Sequence, residues 1–260
     1  MKFSIITPSL NQGRFVRDCI ESVRAQTGVE WEHIIIDAGS NDETISILKE
    51  YPHLQWISEP DKGMSDGINK GFLKATGQWL MWLNADDYLL PGALAQVARF
   101  AGKNRDAEII YGDCVFVDES KKIIRRKREH EFDFSILLFC GCYIPSTSTF
   151  LRREIIAAGE LIDLNYRVCM DLEYYLRLGQ AGRHFAYLPD VLAVFRWHES
   201  NTSKVLNQQL VKEWRQLQRQ YLQLRKKQRW LGHELLLRVL REIFRAKRIW
   251  KRFLAHGRPF

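Results

Sequence analysis

The chain has few cysteines and no long hydrophobic run. These two features exclude several classes of protein. Its five cysteines are odd in number and fit no zinc-ligand spacing, so neither a disulfide scaffold nor a zinc domain is expected. No apolar stretch reaches the roughly 20 residues that span a bilayer, and residues 1–8 contain no signal-peptide core. We therefore expect a cytoplasmic protein with reduced thiols.

Acidic residues are scarce at one end of the chain. The formal net charge is +8, but residues 204–260 carry 16 Lys and Arg against 3 Glu, whereas residues 1–203 carry 23 against 28 Asp and Glu. In the basic segment, Leu210, Trp214 and Leu217 are spaced to share one face of a helix. The sequence predicts a folded domain over 1–203 and a basic amphipathic helical extension over 204–260.

Two hypotheses account for the apolar stripe of this extension. The stripe either packs on the domain or on a second subunit of a homodimer, or it lies on the anionic inner face of the cytoplasmic membrane as a peripheral anchor. The two are compatible if one face packs and the other binds lipid. Nucleic acid is not an expected partner, because the rest of the chain is acidic and contains no nucleic-acid-binding motif.

The first hundred residues alternate strand and helix signals. Short apolar runs at 3–7, 31–36, 54–57 and 79–83 predict strands, and helical spacing follows each of them. Such alternation is typical of an α/β fold with a mostly parallel central sheet and helices on both faces. In sheets of this kind, ligands bind outside the carboxyl ends of the strands.

Each of the four predicted strands ends in a polar cluster. The clusters lie at residues 7–9, 37–42, 59–62 and 84–87. The last is the most informative, because the adjacent carboxylates Asp86 and Asp87 repel each other unless a cation neutralises them. Hard divalent cations prefer oxygen ligands and bridge to phosphate. This strand end therefore predicts a metal and diphosphate site.

Taken singly, the other polar residues also have structural explanations. Asp37 either accepts a hydrogen bond from a nucleotide or caps the next helix, and Gly39 would let the backbone approach a ligand. Lys62 either meets a phosphate as a point charge or lies in a solvated turn. Asp66 and Asn69 are three residues apart, so they share a helix face, which solvent exposure explains equally well. Only the combination is specific.

Together, four segments closely resemble the family 2 glycosyltransferases. Residues 4–11, 36–44, 59–63 and 83–87 read SIITPSLN, IDAGSNDET, EPDKG and LNADD. The resemblance runs from about Phe3 to His198 and is greatest to bacterial members that build cell-surface polysaccharides. It implies a GT-A fold, a nucleotide-binding αβα sandwich, and so identifies residues 1–203 as a catalytic domain.

The resemblance also implies roles for individual residues. The nucleotide-sugar donor would be bound by Thr7, Pro8, Asp37, Gly39, Lys62, Asp66, Asn69, Asn84 and Ala85. Asn84-Ala85-Asp86 occupies the position of the family's Asp-X-Asp motif, so Asp86 would hold Mn²⁺ or Mg²⁺ against the diphosphate. Asn84 replaces the first carboxylate of that motif and carries no charge. His198 stands where the family often has a histidine near the metal, and a structural role is its alternative.

The catalytic base is expected later in the chain. The segment Met170-Asp171-Leu172-Glu173 resembles the acidic motif that precedes an apolar helix in these enzymes, and Asp171 matches the catalytic aspartate. Met170 stands where the family commonly has a first acid. This apolar neighbour would raise the pKa of Asp171, which suits a base. Glu173 is the second candidate, and capping of the helix is the structural alternative for Asp171.

This assembly implies an inverting, metal-dependent glycosyltransferase of cell-surface polysaccharide synthesis. Its donor would be a nucleotide sugar, with UDP the commonest nucleotide in the family, and its acceptor a hydroxyl of a glycan or lipid-linked molecule. Three alternatives stay open. A sugar-nucleotide nucleotidyltransferase would usually open with a glycine-rich basic loop, which residues 9–13 do not provide. A basic nucleic-acid-binding protein finds support only in the C-terminal segment. Asn84 and Met170 also allow an inactive transferase.

Overall fold

The computed structural model describes residues 1–222 and 231–257. The strands are β1 (Lys2–Ser9), β2 (Glu30–Asp37), β3 (Gln55–Ser58), β4 (Trp79–Trp82), β5 (Tyr88–Leu89), β6 (Ile109–Val117), β7 (Ile123–Lys127), β8 (Thr149–Arg152) and β9 (Phe185–Arg196). The helices are α1 (Gly13–Arg24), α2 (Thr44–Lys49), α3 (Met64–Lys74), α4 (Ala93–Lys103), α5 (Phe134–Cys140), α6 (Arg153–Ala157), α7 (Met170–Gln180), α8 (Thr202–Val205), α9 (Asn207–Tyr221) and α10 (Leu231–His256). No helix in these ranges is long and apolar enough to cross a bilayer.

All of these strands join one sheet in the order β3-β2-β1-β4-β8-β6-β9-β5, with β7 beside β6. Strands β1 to β4 pair in parallel, β6 and β9 pair in parallel, and β8 is antiparallel to both of its neighbours. The predicted α/β fold with a mostly parallel sheet is confirmed. Parallel pairing brings the ends of β1 and β2 side by side, with Ser9 opposite Asp37.

Successive residues of β1 point to opposite faces of the sheet, and each face has its own core. Ile5 belongs to a core with Val23 of α1 and Leu94 of α4. Ile6 belongs to the other core, with Phe72 of α3 and Tyr175 of α7. Helices therefore cover both faces of the parallel half of the sheet, and its carboxyl edge stays open between them.

The C-terminal helices pack on the residues that precede them in the chain. Leu217 of α9 is fully buried, and Trp214 Nε1 donates a hydrogen bond to the carbonyl oxygen of Leu138 at 2.9 Å. Phe244 of α10 stacks on Phe139 of α5, with ring centroids 4.9 Å apart. One face of the predicted amphipathic stripe is thus part of the main core. The boundary proposed between residues 203 and 204 separates two segments that share this core.

A buried carboxylate ties α10 to the sheet. Glu129 is 0% exposed, and both of its carboxylate oxygens accept hydrogen bonds from Arg248 Nη2, at 2.9 and 3.1 Å. Its backbone N–H donates to Asp113 Oδ1 at 2.9 Å, and its carbonyl oxygen lies 2.8 Å from His256 Nε2. Tyr187 Oη donates to the same Asp113 oxygen at 2.7 Å. The end of α10 is therefore fixed by a polar network rather than by apolar contacts alone.

We expect Arg248→Ala to lower the free energy of unfolding by about 3 kcal/mol, because Glu129 would keep its charge at a buried position without its main partner. Lys127, 4.0 Å away, offsets only part of the loss. Arg245→Ala is the matched control, since Arg245 pairs with the exposed Glu242, and such pairs contribute less than about 1 kcal/mol. Urea denaturation of both variants measures the difference, and equal losses would contradict the importance of the buried pair.

Candidate active site

A cleft of about 470 Å³ opens at the carboxyl edge of the parallel strands. The predicted site residues on its walls are Pro8, Lys62, Asn84, Ala85, Asp86, Asp171 and His198. They come from the ends of β1, β4 and β9, from the loop before α3 and from the start of α7. A concave site of this size suits a small-molecule ligand.

The end of β4 directs one carboxylate outward and the next one inward. Asp87 is 0% exposed, and it accepts hydrogen bonds from the backbone N–H of Arg196 at 2.9 Å and from Asn84 Nδ2 at 3.2 Å. Burial and the neighbouring charge of Asp86 raise the pKa of Asp87 well above its usual value. Asp87 therefore holds Asn84 in place and joins β9 to the end of β4, while Asp86 faces the cleft.

Asp86 lies against a histidine from a distant part of the chain. Its Oδ2 is 2.8 Å from Nε2 of His198, a residue 112 positions later in the sequence. The other ring nitrogen of His198 lies 2.8 Å from Ser200 Oγ, and its backbone N–H donates to Asn201 Oδ1 at 2.6 Å. The two residues predicted to hold a metal are thus brought into direct contact, and two neighbours fix the ring.

The donor atoms at this end of the cleft fit a hard divalent cation. The carboxylate of Asp86 and the imidazole of His198 lie together, and the buried Oδ1 of Asn84 has no hydrogen-bond partner in the described part of the chain. The carboxylate and amide oxygens among these donors suit Mn²⁺ or Mg²⁺. Within residues 1–222 and 231–257, no group of three or more His, Cys, Asp or Glu side chains forms a metal site. A cation here would take its remaining ligands from water or from a bound diphosphate.

Three buried polar atoms belong to residues that line the cleft and have no partner among the described residues. They are Ser9 Oγ, Trp82 Nε1 and Asn84 Oδ1. An unpaired buried polar group costs about 1–3 kcal/mol of stability. Unpaired groups gathered at one cleft are what a polar ligand would satisfy, so they favour a binding site over an accidental groove.

Asp171 faces the same cleft from the first turn of α7. Its Oδ1 accepts a hydrogen bond from the backbone N–H of Leu172 at 2.7 Å. Burial raises the pKa of Asp171, and the smaller opposing effects of Leu172 and the Cys142 thiol do not offset it. The predicted direction of this shift is confirmed. The predicted capping role is wrong, because α7 begins at Met170 and Cys169 occupies the N-cap position.

Glu173, the second candidate for the base, does not line the cleft. It is 4% exposed and forms an ion pair with Arg177, whose Nε donates at 2.8 Å to Glu173 Oε1. Arg177 also pairs with Glu160 at 2.8 Å. Glu173 is therefore held in an ion-pair network away from the cleft, and Asp171 is the carboxylate that α7 presents to the cleft.

Asp37 lies behind the cleft wall instead of on it. Its side chain is fully buried, and Oδ2 accepts hydrogen bonds from the backbone N–H groups of Gly39 and Ser40 and from Ser58 Oγ, at 3.1, 2.8 and 2.7 Å. Gly39 adopts a φ of +84°, which favours glycine. Asp37 thereby shapes the loop whose next residue, Ala38, lines the cleft.

Three further predicted residues also make hydrogen bonds within the protein. Thr7 is fully buried and bonds to the ring of a buried histidine at 2.9 Å. Asp66 accepts a hydrogen bond from the backbone N–H of Lys62 at 3.1 Å. Asn69 makes two hydrogen bonds to the backbone of Ile162, at 2.8 and 2.9 Å. The expectation that Thr7 and Asp37 line the pocket is not met, because both side chains point into the protein.

The sequence analysis missed Ser200 and Asn201. Both line the cleft, and Asn201 Nδ2 also lies 3.4 Å from Asp86 Oδ2. The sequence contains a pattern that indicates them, because residues 198–201 form a polar cluster after a predicted strand. The strand-end criterion applied to the first four strands would have found it.

Comparison with known proteins agrees with this geometry. The family model of glycosyl transferase family 2 matches residues 4–158. A PGL/p-HBAD biosynthesis glycosyltransferase of Mycobacterium bovis is 33% identical over 181 residues, which cover 67% of this chain and 68% of the relative. An uncharacterized glycosyltransferase of Mycobacterium tuberculosis is 31% identical over 180 residues, 67% of each chain.

Solved structures of glycosyltransferases share the fold. TarS of S. aureus superposes with a TM-score of 0.66 and 16% identity over 85% of this chain, which spans 43% of that TarS chain. The mannosyltransferase PcManGT of Pyrobaculum calidifontis, solved with GDP-Man and Mn²⁺, gives a TM-score of 0.61 and 16% identity over 82% of this chain and 64% of its own. The predicted GT-A fold is confirmed. The chain belongs to glycosyltransferase family 2.

Proposed function

We propose that the protein is an inverting glycosyltransferase that moves a sugar from a UDP-sugar to a hydroxyl of a glycan or lipid-linked acceptor in cell-surface polysaccharide synthesis. The observation that carries the proposal is a single cleft that holds both the Asp86–His198 pair and Asp171. Complexes of fold relatives support the donor class, since TarS 1–349 was solved with UDP and with UDP-GlcNAc.

The diphosphate would lie at the end of the cleft formed by β4 and β9. Lys62 is exposed on the cleft wall, and its ammonium group offsets the charge that develops on the departing nucleoside diphosphate. A divalent cation held by Asp86 and His198, with Asn84 Oδ1 beside it, would supply further neutralisation of that charge. His198 is kept at this position by its contacts with Ser200 and Asn201.

Asp171 is the proposed base. Its carboxylate would take the proton from the acceptor hydroxyl, whose oxygen then forms a bond to the anomeric carbon as the bond from that carbon to the diphosphate oxygen breaks. Because the acceptor attacks the face opposite the leaving group, the configuration inverts. The first turn of a helix favours a negative charge, so α7 would favour the return of Asp171 to its ionised form as the proton passes to solvent after each turnover.

A panel of nucleotide sugars tests the proposal. Purified protein is incubated with each donor and Mn²⁺ or Mg²⁺, and the release of nucleoside diphosphate and the anomeric configuration of the product are measured. Release of UDP with inversion supports the proposal. Release of pyrophosphate would indicate a nucleotidyltransferase, and neither turnover nor nucleotide binding with any donor would overturn the assignment.

A membrane-facing surface for the lipid-linked acceptor is part of this proposal. The inner face of α10 packs on the core through Leu237, Leu240 and Phe244. A second apolar face stays uncovered, and its residues are 40–65% exposed: Val239, Ile243, Trp250, Phe253 and Leu254. The exposed arginines Arg238 and Arg245 lie along one side of this stripe. An apolar stripe with tryptophan and a basic border is complementary to an anionic bilayer surface.

We expect the protein to float with vesicles that contain phosphatidylglycerol, and the double variant Ile243→Glu/Trp250→Glu to lose this binding. Two buried charges at the lipid interface would oppose insertion of the stripe. Leu73→Glu is the control, because Leu73 is 68% exposed on α3, away from α10. If wild type never floats but the double variant changes from dimer to monomer in light scattering, the stripe binds a second copy instead.

A further inference from the structure

The turn that precedes Asp171 is held by a helix far along the chain. Residues of this turn that line the cleft are Tyr166, Arg167, Val168 and Met170. Glu213 of α9 is 3% exposed and accepts three successive backbone hydrogen bonds from the turn. Arg167 N donates to Oε1 at 3.1 Å, and Val168 N and Cys169 N donate to Oε2 at 3.0 and 2.8 Å.

These N–H groups lie directly before α7, which begins at Met170: Cys169 is its N-cap residue, and Arg167 and Val168 precede the cap. The side chain of the N-cap residue, Cys169, provides no capping bond. Glu213, from another helix, instead accepts hydrogen bonds from the backbone N–H of Cys169 and of the two residues before it. Burial alone would raise the pKa of Glu213, but the hydrogen bonds from Cys169, Gln209 and the rest of the turn outweigh it and lower the pKa below its usual value. Such bonds to a carboxylate are among the strong ones.

Other contacts between α9 and the turn follow the same pattern. Tyr166 Oη lies 3.3 Å from Gln220 Oε1 and accepts a hydrogen bond from Gln216 Nε2 at 3.3 Å. Cys169 Sγ donates to the carbonyl oxygen of Leu210 at 3.5 Å. Both the turn and α9 lie outside residues 4–158, which the family model matches. The position of Asp171 therefore depends on a part of the chain that lies outside the residues matched by the family model.

We infer that Glu213 is a positioning residue for Asp171, an inference that rests on the proposed function. With the carboxylate in place, the amides of residues 167–169 are fixed and the first turn of α7 points Asp171 into the cleft. Without it, three backbone donors, of which that of Cys169 is buried, lose their acceptor, and the turn relaxes. A displaced base slows the chemical step much more than it weakens donor binding, because an error of about 1 Å can cost on the order of 100-fold in rate.

Glu213→Gln tests the inference with the smallest change. The amide removes the charge and places a donor group against backbone N–H donors, so kcat should fall on the order of 10- to 100-fold. Binding of UDP should be retained, and the acidic limb of the pH profile of kcat/KM, which reports Asp171, should shift. Glu242→Gln is the matched control, because it makes the same change at an exposed position of α10. It should leave all three measurements unaltered.

A second variant separates positioning from stability. Leu217→Ala removes a fully buried side chain of the same helix and no hydrogen bond to the turn, so it should lower the urea midpoint and leave kcat and the pH profile of the folded protein unaltered. Equal behaviour of Glu213→Gln and Leu217→Ala would overturn the inference. If Glu213→Gln does not fold, Gln209→Ala takes its place, since Gln209 Nε2 donates to Glu213 Oε1 at 2.8 Å. An unshifted pH profile then overturns it.

Amide hydrogen exchange tests the contacts of Glu213 independently of the proposed function. Exchange at residues 167–169 should be faster in Glu213→Gln than in wild type, whether or not a substrate turns over. Wild type without turnover would contradict the proposed function, whereas unchanged exchange would contradict the contacts themselves. Normal wild-type turnover together with an undiminished kcat in Glu213→Gln would overturn the positioning role alone.

Discussion

Asp171→Asn is expected to reduce kcat by about 100- to 10,000-fold, the usual contribution of a general base, and to leave UDP binding intact. The amide has nearly the same shape but does not take a proton from the acceptor hydroxyl. Turnover is measured as nucleoside diphosphate release and binding by calorimetry. Asp190→Asn, the same change at an exposed residue, is the control. Activity that survives in Asp171→Asn would show that another group is the base.

The raised pKa of Asp171 adds two consequences. The rate should fall as the pH drops through this pKa, at a pH above the ordinary aspartate value of about 3.9. Because burial disfavours the ionised form in the folded state, ionisation of Asp171 lowers stability as the pH rises above its unfolded-state pKa. Asp171→Asn should therefore have a higher urea midpoint than wild type at neutral pH, and this advantage should shrink as the pH falls toward 4.

Asp86→Ala is expected to abolish the metal dependence of nucleotide binding. In wild type, Mn²⁺ should tighten UDP binding, because the cation held by Asp86 and His198 neutralises the diphosphate. Loss of the carboxylate should weaken UDP binding with Mn²⁺ at least about 100-fold, beyond the 10- to 100-fold effect of outer-shell ligands, and should leave the weaker binding in EDTA unaltered. Identical Mn²⁺ dependence in wild type and variant would contradict a metal role for Asp86.

Asn84→Asp is the complementary variant. It places a carboxylate where Asn84 Nδ2 now donates to Asp87, 3.2 Å away, so two acidic groups would face each other beside Asp86. The variant should be less stable than wild type in EDTA and regain stability with Mn²⁺, because a bound cation offsets the repulsion. Thermal unfolding with and without Mn²⁺ measures the effect. Recovery with Mn²⁺ would locate the cation at this strand end.

The gathering of distant residues at one edge was predictable from the sequence. Parallel pairing places the carboxyl ends of β1, β2 and β4 together, so a polar cluster after each strand predicts a shared site without any knowledge of side-chain contacts. Asp86 and His198 meet for this reason. The class of the fold followed from the same alternation of strands and helices.

The direction of individual side chains was not predictable. Pro8 and Ala38 line the cleft, whereas their neighbours Thr7 and Asp37 are buried. Side chains alternate along a strand, so one residue points to the cleft and the next points into the core. A polar residue at a strand end can bind a ligand or bind the next loop. The sequence pattern is the same for both roles. The role of Glu213 was not predictable either, because in the sequence it is a single acidic residue within a basic helix.

The bonds between Glu213 and the turn also bear on the order in which the protein matures. Their partners are separated by 44 to 46 residues in the chain. A ribosome releases the protein from its N-terminus, and domains fold as they emerge. The sheet and the Asp86–Asp87 strand end need the chain only as far as β9 and His198, but the turn that carries Asp171 has no acceptor for its amides until Glu213 has also left the exit tunnel. Donor binding should therefore precede catalytic competence in the growing polypeptide.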